Sequence, residues 1–279
     1  MTVSIFFEQF LYNLSKKDDK FIYIKLKEKS LKKGIETALI SLLCFCGNAL
    51  ADSMNLNLVL GSSLTKLSNN KYISPAPGLI NLYSTNEHRQ LRPFYGLGGE
   101  YWFDYSQAQS ISYGLGLSLY NVNLGYIRGV ETPGINILPP PQDTLNYKIQ
   151  AKSSVVLLEP KLIYKTTRLQ PYILGGLGAS RNTLRNFKER TVAGSFATPS
   201  SSPYTNHSHT NFAYEAGVGL QYVYDEYENN QALVFRIEYR YFNLGKSRLG
   251  PGLAQTTNER INVNTTSNSV NLGITYRFR

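Results

Sequence analysis

Apolar and polar residues alternate along much of the chain after residue 53, which is the pattern of strands with one apolar and one polar face. In 212–224, every second residue starting at Phe212 is apolar, whereas Glu215 and Gln221 fall on the opposite face. No stretch of comparable length shows a helical period. The alternation predicts eight strands, at 54–65, 92–104, 109–125, 153–165, 169–181, 211–224, 231–244 and 267–278.

The connections between these strands alternate between short and long. Short turns at 105–108, 166–168 and 225–230 are interspersed with long segments at 66–91, 126–152, 182–210 and 245–266. Structureless loops above ~15 residues are uncommon inside compact soluble domains. Short turns at one end and long loops at the other are typical of bacterial outer-membrane barrels. We therefore predict an all-β fold, an eight-stranded antiparallel up-and-down transmembrane β-barrel with short periplasmic turns and four long extracellular loops.

A soluble barrel or sandwich would also alternate, with its apolar face inward. The polar face here is rich in Gly and Ser and nearly lacks Lys, which fits a crowded lumen better than a solvated surface. Aromatic residues also gather at strand ends, as in membrane-boundary girdles. The residues concerned are Trp102, Phe103, Tyr105, Tyr164, Tyr224, Tyr276 and Phe278. Both features favour outward apolar faces; the faces of 169–181 stay unassigned.

The N-terminal region has the features of a secretion signal. A basic stretch at 27–36 precedes an apolar stretch at 37–51, which ends on Ala49-Leu50-Ala51 and is too short to span a membrane. We predict a cleaved signal peptide at 27–51 and a barrel at 52–279, and give residues 1–26 no interpretation. The alternative is a buried N-terminal helix. Cleavage would remove Cys44 and Cys46, so no disulfide, zinc site or thiol nucleophile is expected in the mature chain.

The amino-acid composition limits the protein class and the kinds of partner that the chain is expected to bind. The chain has 21 Tyr, and its mean hydropathy of -0.26 is too polar for a bundle of transmembrane helices. Residues 52–279 hold 21 basic and 14 acidic residues, a net charge of +7 that is not clustered into a nucleic-acid patch. We therefore expect no nucleic-acid partner.

Two strands, RPFYGLGGEYWFD at 92–104 and FAYEAGVGLQYVY at 212–224, together with the last strand, resemble the small eight-stranded outer-membrane barrels. That group holds the OmpA membrane domain and the opacity proteins. The resemblance covers residues 52–279 and implies the outer membrane of a Gram-negative cell. In that family the last strand is read by the barrel-assembly machinery, and the matching residues are Val270, Leu272, Ile274, Tyr276 and Phe278. Arg279 departs from the family pattern, which usually ends on the aromatic residue.

Charged residues fall on the predicted inward faces. They are Glu100, Glu159, Lys161, Glu215, Arg236, Glu238, Arg240 and Arg277. A charge in a narrow lumen is costly unless paired, so four acids with four bases predict a salt-bridged plug. A small-conductance porin, the alternative, would more plausibly carry a ring of one sign.

Catalytic candidates are few. The histidines His88, His207 and His209 all fall in predicted long loops. The lipid A-modifying deacylases of the family carry a His-x-Ser pair, whereas Ser208 directly follows His207 here. We expect no enzyme activity, no metal and no cofactor, and a lipid A-modifying enzyme is the weakest alternative.

The loops are the expected working surface. A basic group at Arg181, Arg185, Lys188 and Arg190 suggests contact with lipopolysaccharide phosphates. The remaining loop sequences suggest adhesin-like binding of a host or matrix ligand. We expect a monomeric structural and surface-interaction protein with outer-membrane lipid around it.

Overall fold

The computed structural model describes residues 53–68, 71–85, 90–103, 110–137, 143–166, 168–195, 197, 199, 204–227, 231–252, 256, 257 and 259–278. The N-terminal 26 residues, the predicted signal peptide, His88 and Tyr105 lie outside these ranges. Among the described residues, no helix is long and apolar enough to cross a membrane.

The described part of the chain forms ten strands in one antiparallel sheet. They are β1 (Ser53–Ser68), β2 (Lys71–Ala76), β3 (Leu79–Thr85), β4 (Gln90–Phe103), β5 (Ile111–Thr132), β6 (Leu145–Tyr164), β7 (Leu169–Thr191), β8 (His207–Tyr227), β9 (Gln231–Arg248) and β10 (Asn262–Phe278). Eight of them close a ring in the order β4-β1-β10-β9-β8-β7-β6-β5, with β5 pairing back to β4. The predicted all-β up-and-down barrel is confirmed.

The two further strands lie in the first predicted long loop. β2 and β3 form a hairpin, and β3 pairs with the last four residues of β5, from Leu82 opposite Thr132 to Thr85 opposite Gly129. A Cβ on Gly129 would lie 2.0 Å from the Ser84 carbonyl oxygen, so a glycine is needed for this close approach. The hairpin is therefore paired into the sheet through β5 and is not an irregular loop.

The outward face of the ring carries a continuous apolar belt. On β5 the exposed apolar residues are Ile111, Tyr113, Leu115, Leu117 and Leu119, as expected for an apolar face that points outward. The predicted outward faces of β8 and β9 also lie outside. Other exposed members of the belt are Leu56, Leu58, Leu60, Tyr95, Leu97, Val156, Leu158, Leu162, Tyr164, Ile173, Leu177, Phe212, Val218, Leu220, Phe235, Ile237, Tyr239, Val270, Leu272 and Ile274.

The belt ends at one level on neighbouring strands. One row of paired outward residues is apolar: Leu119, Val156, Ala179 and Phe212 on β5 to β8. The next outward row, two residues further from the short turns, is polar: Asn121, Ser154, Arg181 and Thr210. We call this change of row the boundary.

Beyond the boundary, β5, β6 and β7 continue for ten or more residues each, at 121–132, 145–154 and 181–191. We call this part the extension; at ~3.3 Å per residue its strands are roughly 33 to 40 Å long. Its inward face is largely apolar, with Ile127, Ile149 and Leu184 almost fully buried. The predicted loops are thus partly strand, and the connections between β5 and β6 and between β7 and β8 shrink to 133–144 and 192–206.

Two expectations about individual side chains need correction or completion. Trp102 is fully buried and packs with Ile163, Tyr172 and Leu174, so it is not part of an outer girdle. It lies on the same inward face of β4 as Glu100, because the two are two residues apart. Tyr172 and Leu174 also face inward on β7, and these apolar lumen residues made the faces of that strand ambiguous in sequence.

Candidate functional site: the filled lumen and the extension

Seven charged side chains meet in the lumen at the level of the belt. They are Glu100, Glu159, Lys161, Glu215, Arg236, Glu238 and Arg240, all nearly inaccessible to solvent, and we call them the charge cluster. Alternation puts them inside, since each shares its strand face with buried neighbours. They come from four strands, with one residue from β4, two of opposite sign from β6, one from β8 and three from β9.

Five ion pairs connect the charge cluster in two groups. In the first, the Glu100 carboxylate accepts from the Lys161 ammonium at 3.0 Å and from the Arg236 guanidinium at 2.8 Å. In the second, Arg240 reaches Glu159, Glu215 and Glu238 at 3.2, 3.1 and 2.9 Å. Each buried charge therefore has a partner of opposite sign, as a low-dielectric interior requires.

Two tyrosines that the sequence analysis did not single out complete the hydrogen bonding. Tyr120 donates to Glu159 at 2.6 Å and accepts from Arg240, and Tyr172 donates to Glu238 at 2.8 Å. The inward face of β5 runs through Gly114, Gly116 and Ser118 to Tyr120, so continued alternation was a signal for Tyr120. Tyr172 gave no such signal, because the faces of its strand were unassigned.

An aromatic layer covers the charge cluster on the side of the extension. The rings of Phe94, Tyr120 and Phe242 pack with centroids 5.2 to 5.6 Å apart. These rings are continuous with the apolar core inside the extension. The described lumen is thus filled first by ion pairs and then by apolar side chains.

Inward glycines make room for these large side chains. A Cβ on Gly176 would lie 2.7 Å from the Glu215 side chain, and one on Gly96 would lie 2.2 Å from the Tyr120 ring. A bulkier residue at either position would push a cluster member out of place. The glycines on the polar faces therefore belong to a crowded lumen.

Arg277 is placed differently from the other predicted lumen charges. It is buried, but its register partner is Asn55 across β1 and β10, and none of the five ion pairs of the charge cluster includes it. The cluster thus sets three bases against four acids, rather than the four bases expected from sequence. The neighbouring β10 residues named as an assembly signal lie on the outward face, with Val270, Leu272 and Ile274 exposed.

The histidines at 207 and 209 lie in β8, not in a loop as the sequence analysis predicted, because β8 starts earlier than its alternation indicated. Their rings share one face, with centroids 6.5 Å apart. Ser208 lies on the other face, where its hydroxyl is 2.9 Å from that of Thr183. His207 is therefore not placed to activate Ser208 as a nucleophile. Among the described residues, no group of three metal-ligating side chains forms.

The extension contains a buried carboxylate that the sequence analysis missed. Glu131 on β5 accepts hydrogen bonds from Asn81 at 2.8 Å and Tyr83 at 2.7 Å, both on β3. Burial, and next the neighbouring Glu189 carboxylate, raise the pKa of Glu131 to about 8. Burial also raises the pKa of Tyr83 well above its ordinary value. This contact ties the β2–β3 hairpin to the extension.

The four basic residues proposed from sequence to contact lipopolysaccharide all lie on β7, beyond the boundary. Arg181, Arg185, Lys188 and Arg190 point outward, whereas Phe187 and Glu189 between them face the inside of the extension. Asn186 has a φ of 55°, at an irregularity of the β6–β7 register that keeps the basic residues on one face.

Comparison with known proteins gives structural matches only. No protein-family model and no curated protein matches the sequence. The chain is similar to Neisserial surface protein A, with 12% identity, coverage of 79% of this chain and 95% of that one, and a TM-score of 0.39. It is similar to outer membrane protein OprG from Pseudomonas aeruginosa, with 16% identity, coverage of 82% and 97%, and a TM-score of 0.37. It is also similar to Ail, the attachment invasion locus protein of Yersinia pestis, crystallised with the heparin analogue sucrose octasulfate, with 15% identity, coverage of 81% and 99%, and a TM-score of 0.34.

Proposed function

We propose that this protein spans the outer membrane of a Gram-negative cell as a closed barrel and works through the part that projects from the membrane. Its role is structural and surface-interacting, with no catalytic step. The observation that carries this proposal is the filled lumen, in which ion pairs are covered by the layer of Phe94, Tyr120 and Phe242.

The belt supports a membrane location. A β-strand needs roughly 9–11 residues to cross a bilayer, and the exposed apolar run on β5 extends over Ile111–Leu119. Apolar side chains facing outward around a ring with buried charges are stable in lipid, whereas in water they would expose a large apolar surface. The closed ring leaves no sheet edge within the belt.

The small-porin alternative finds less support. Conduction needs a continuous polar path, and the charges that would line it are engaged with one another and covered by aromatic rings. A surface role agrees better with the length of the extension and with the hairpin docked on it. We also propose that the barrel-assembly machinery acts on β10 and that a host or matrix ligand binds at the exposed end.

Cysteine labelling tests the membrane arrangement. In the full chain with Cys44→Ala and Cys46→Ala, single cysteines are placed by Asn146→Cys in the extension, Leu158→Cys in the belt and Thr166→Cys in a short turn. On intact cells, a membrane-impermeant maleimide should label only the cysteine at 146. The one at 166 should react after the outer membrane is permeabilised, and the one at 158 only after denaturation.

Two results would contradict the proposed arrangement. One is equal labelling at positions 146 and 166 on intact cells, which would mean that both ends of the barrel are on the same side of a membrane or in no membrane. The other is ready labelling at position 158, which would show that the belt faces water.

A further inference from the structure

Like charges lie side by side on the outward face of the extension. The register places Arg128 on β5 opposite Lys148 on β6, and Lys148 opposite Lys188 on β7. Paired residues on neighbouring strands have their Cβ atoms about 5 Å apart, and like charges at that distance destabilise a sheet. Three cations in one row are therefore unfavourable for the isolated protein.

More cations surround this row. The outward basic residues of the extension, which we call the basic face, are Arg128, Lys148, Lys152, Arg181, Arg185, Lys188 and Arg190. None of them takes part in an ion pair within the described structure, and the two acids of the extension, Glu131 and Glu189, face inward. Lys148 instead lies over the Tyr126 ring at 3.9 Å, and Arg185 donates to Gln150 at 3.1 Å.

The opposite side of the barrel differs. On β8, β9 and β10, the outward residues that follow the last apolar residue of the belt are mainly neutral, as in Thr210, Asn243, Thr266 and Asn268. Two basic residues of β9 also lie there, the exposed Lys246 opposite Asn264 and Arg248 opposite Asn262. The outward faces of the described parts of β5, β6 and β7 thus carry seven cations beyond the belt, whereas those of β8, β9 and β10 carry two.

We propose that the basic face binds the phosphate groups of an anionic glycolipid of the same membrane leaflet, for which lipopolysaccharide is the probe. This inference rests on the membrane location proposed above. It extends the lipopolysaccharide contact predicted for the basic residues of β7 to a surface formed by β5, β6 and β7. Arg181 lies in the first row past the boundary, and the row of Arg128, Lys148 and Lys188 lies further out. A lipid with its acyl chains on Val156 and Leu177 would bring its head group onto this face.

The placement of the charges favours a lipid over a soluble polyanion. The basic face is continuous with the belt below it and faces sideways, along the membrane plane, rather than away from the cell. Charge-assisted hydrogen bonds from Arg and Lys to phosphate would satisfy these side chains and offset the repulsion within the row.

The test measures binding of the refolded protein in neutral detergent to purified lipopolysaccharide with intact phosphates. The triple variant Arg128→Gln, Lys148→Gln and Lys188→Gln removes the row, and Lys246→Gln is the matched control on the other side of the barrel. With roughly a fivefold effect per cation near an anionic surface, the triple variant should bind on the order of 100-fold more weakly. The control should bind like the wild type, and dephosphorylated lipopolysaccharide should bind weakly to all three.

Other outcomes would overturn the inference. These are equal binding by the triple variant and the wild type, equal binding of dephosphorylated lipopolysaccharide, or dextran sulfate binding more tightly than lipopolysaccharide, which would indicate a soluble polyanion. A heat-modifiable shift on cold SDS gels checks that each variant folds, and Arg181→Gln with Arg190→Gln is the second variant if the triple variant does not. A folded barrel that fails to bind refutes this inference alone, whereas failure of the cysteine labelling refutes the membrane arrangement.

Discussion

At the scale of single residues, Arg240 holds the larger group of the charge cluster together. Its guanidinium bonds to Glu159, Glu215 and Glu238 and lies over the Tyr120 ring at 5.0 Å. The planar guanidinium, with five donors, suits several carboxylates at once, which a lysine could not serve equally. Three buried carboxylates thus depend on one cation.

Replacing Arg240 by Met should therefore destabilise the barrel. The change leaves three carboxylates without their shared cation, and breaking a buried pair typically costs about 3–5 kcal/mol. The measurement is urea unfolding of the protein refolded in lipid vesicles, with Lys246→Met as the exposed control. An unfolding midpoint for Arg240→Met equal to that of the control would show that the ion pairs contribute little to stability.

At the scale of elements, the β2–β3 hairpin is held to the extension partly by the protonation of Glu131. Its carboxyl group is buried against Asn81 and Tyr83 of β3, next to Glu189 of β7. The pKa of about 8 lies above the ordinary glutamate value of about 4.3, so the docked state holds the proton more tightly than the open state does. The resulting stabilisation is complete below pH 4.3 and is lost as the pH rises through 8.

Docking of the hairpin should therefore weaken between about pH 4.5 and 8. Hydrogen exchange of the β3 amides, corrected for the intrinsic pH dependence of exchange, should show falling protection over this range. The Glu131→Gln variant, which cannot ionise, should show nearly constant protection. A wild-type profile as flat as that of the variant would mean that Glu131 titrates normally in the docked state.

Among the elements, the sequence alone predicted the eight strands of the ring but not their continuation into the extension. The eight ring strands were recognisable because lipid-facing and lumen-facing residues alternate within the belt. In β6 the apolar positions then change face: Val156 and Leu158 point outward, but beyond the boundary Tyr147, Ile149 and Ala151 point inward. An alternation that changes face looks like the end of a strand, so the extension was predicted as loop.

The candidate site was predictable to a similar degree. Alternation identified the inward charges, but not which of them pair, because partners such as Glu100 and Arg236 are 136 residues apart in sequence. The row of Arg128, Lys148 and Lys188 depends on strand register, which the sequence pattern did not specify beyond the belt. The Glu131 contact depends on a hairpin whose strands were too short to recognise.

At the scale of the whole molecule, the barrel has a filled lumen at the level of the belt, and its strands continue beyond the boundary as the extension. The ring closes without a free edge in the belt, and the charge cluster and the aromatic layer occupy its interior. On the proposed function, the extension and its basic face make the functional contacts, and the lumen is not a pore. The proposed role therefore requires that the lumen is closed to ions.

Single-channel recording in a planar bilayer tests that claim most directly. The refolded protein, whose folding is verified by its heat-modifiable shift, should show no steady conductance, and a porin prepared in the same way is the positive control. Rare brief openings agree with a plug held by ion pairs. A steady conductance that changes with Arg236→Gln or Glu215→Gln would contradict the account, since it would show that ions pass through the charge cluster.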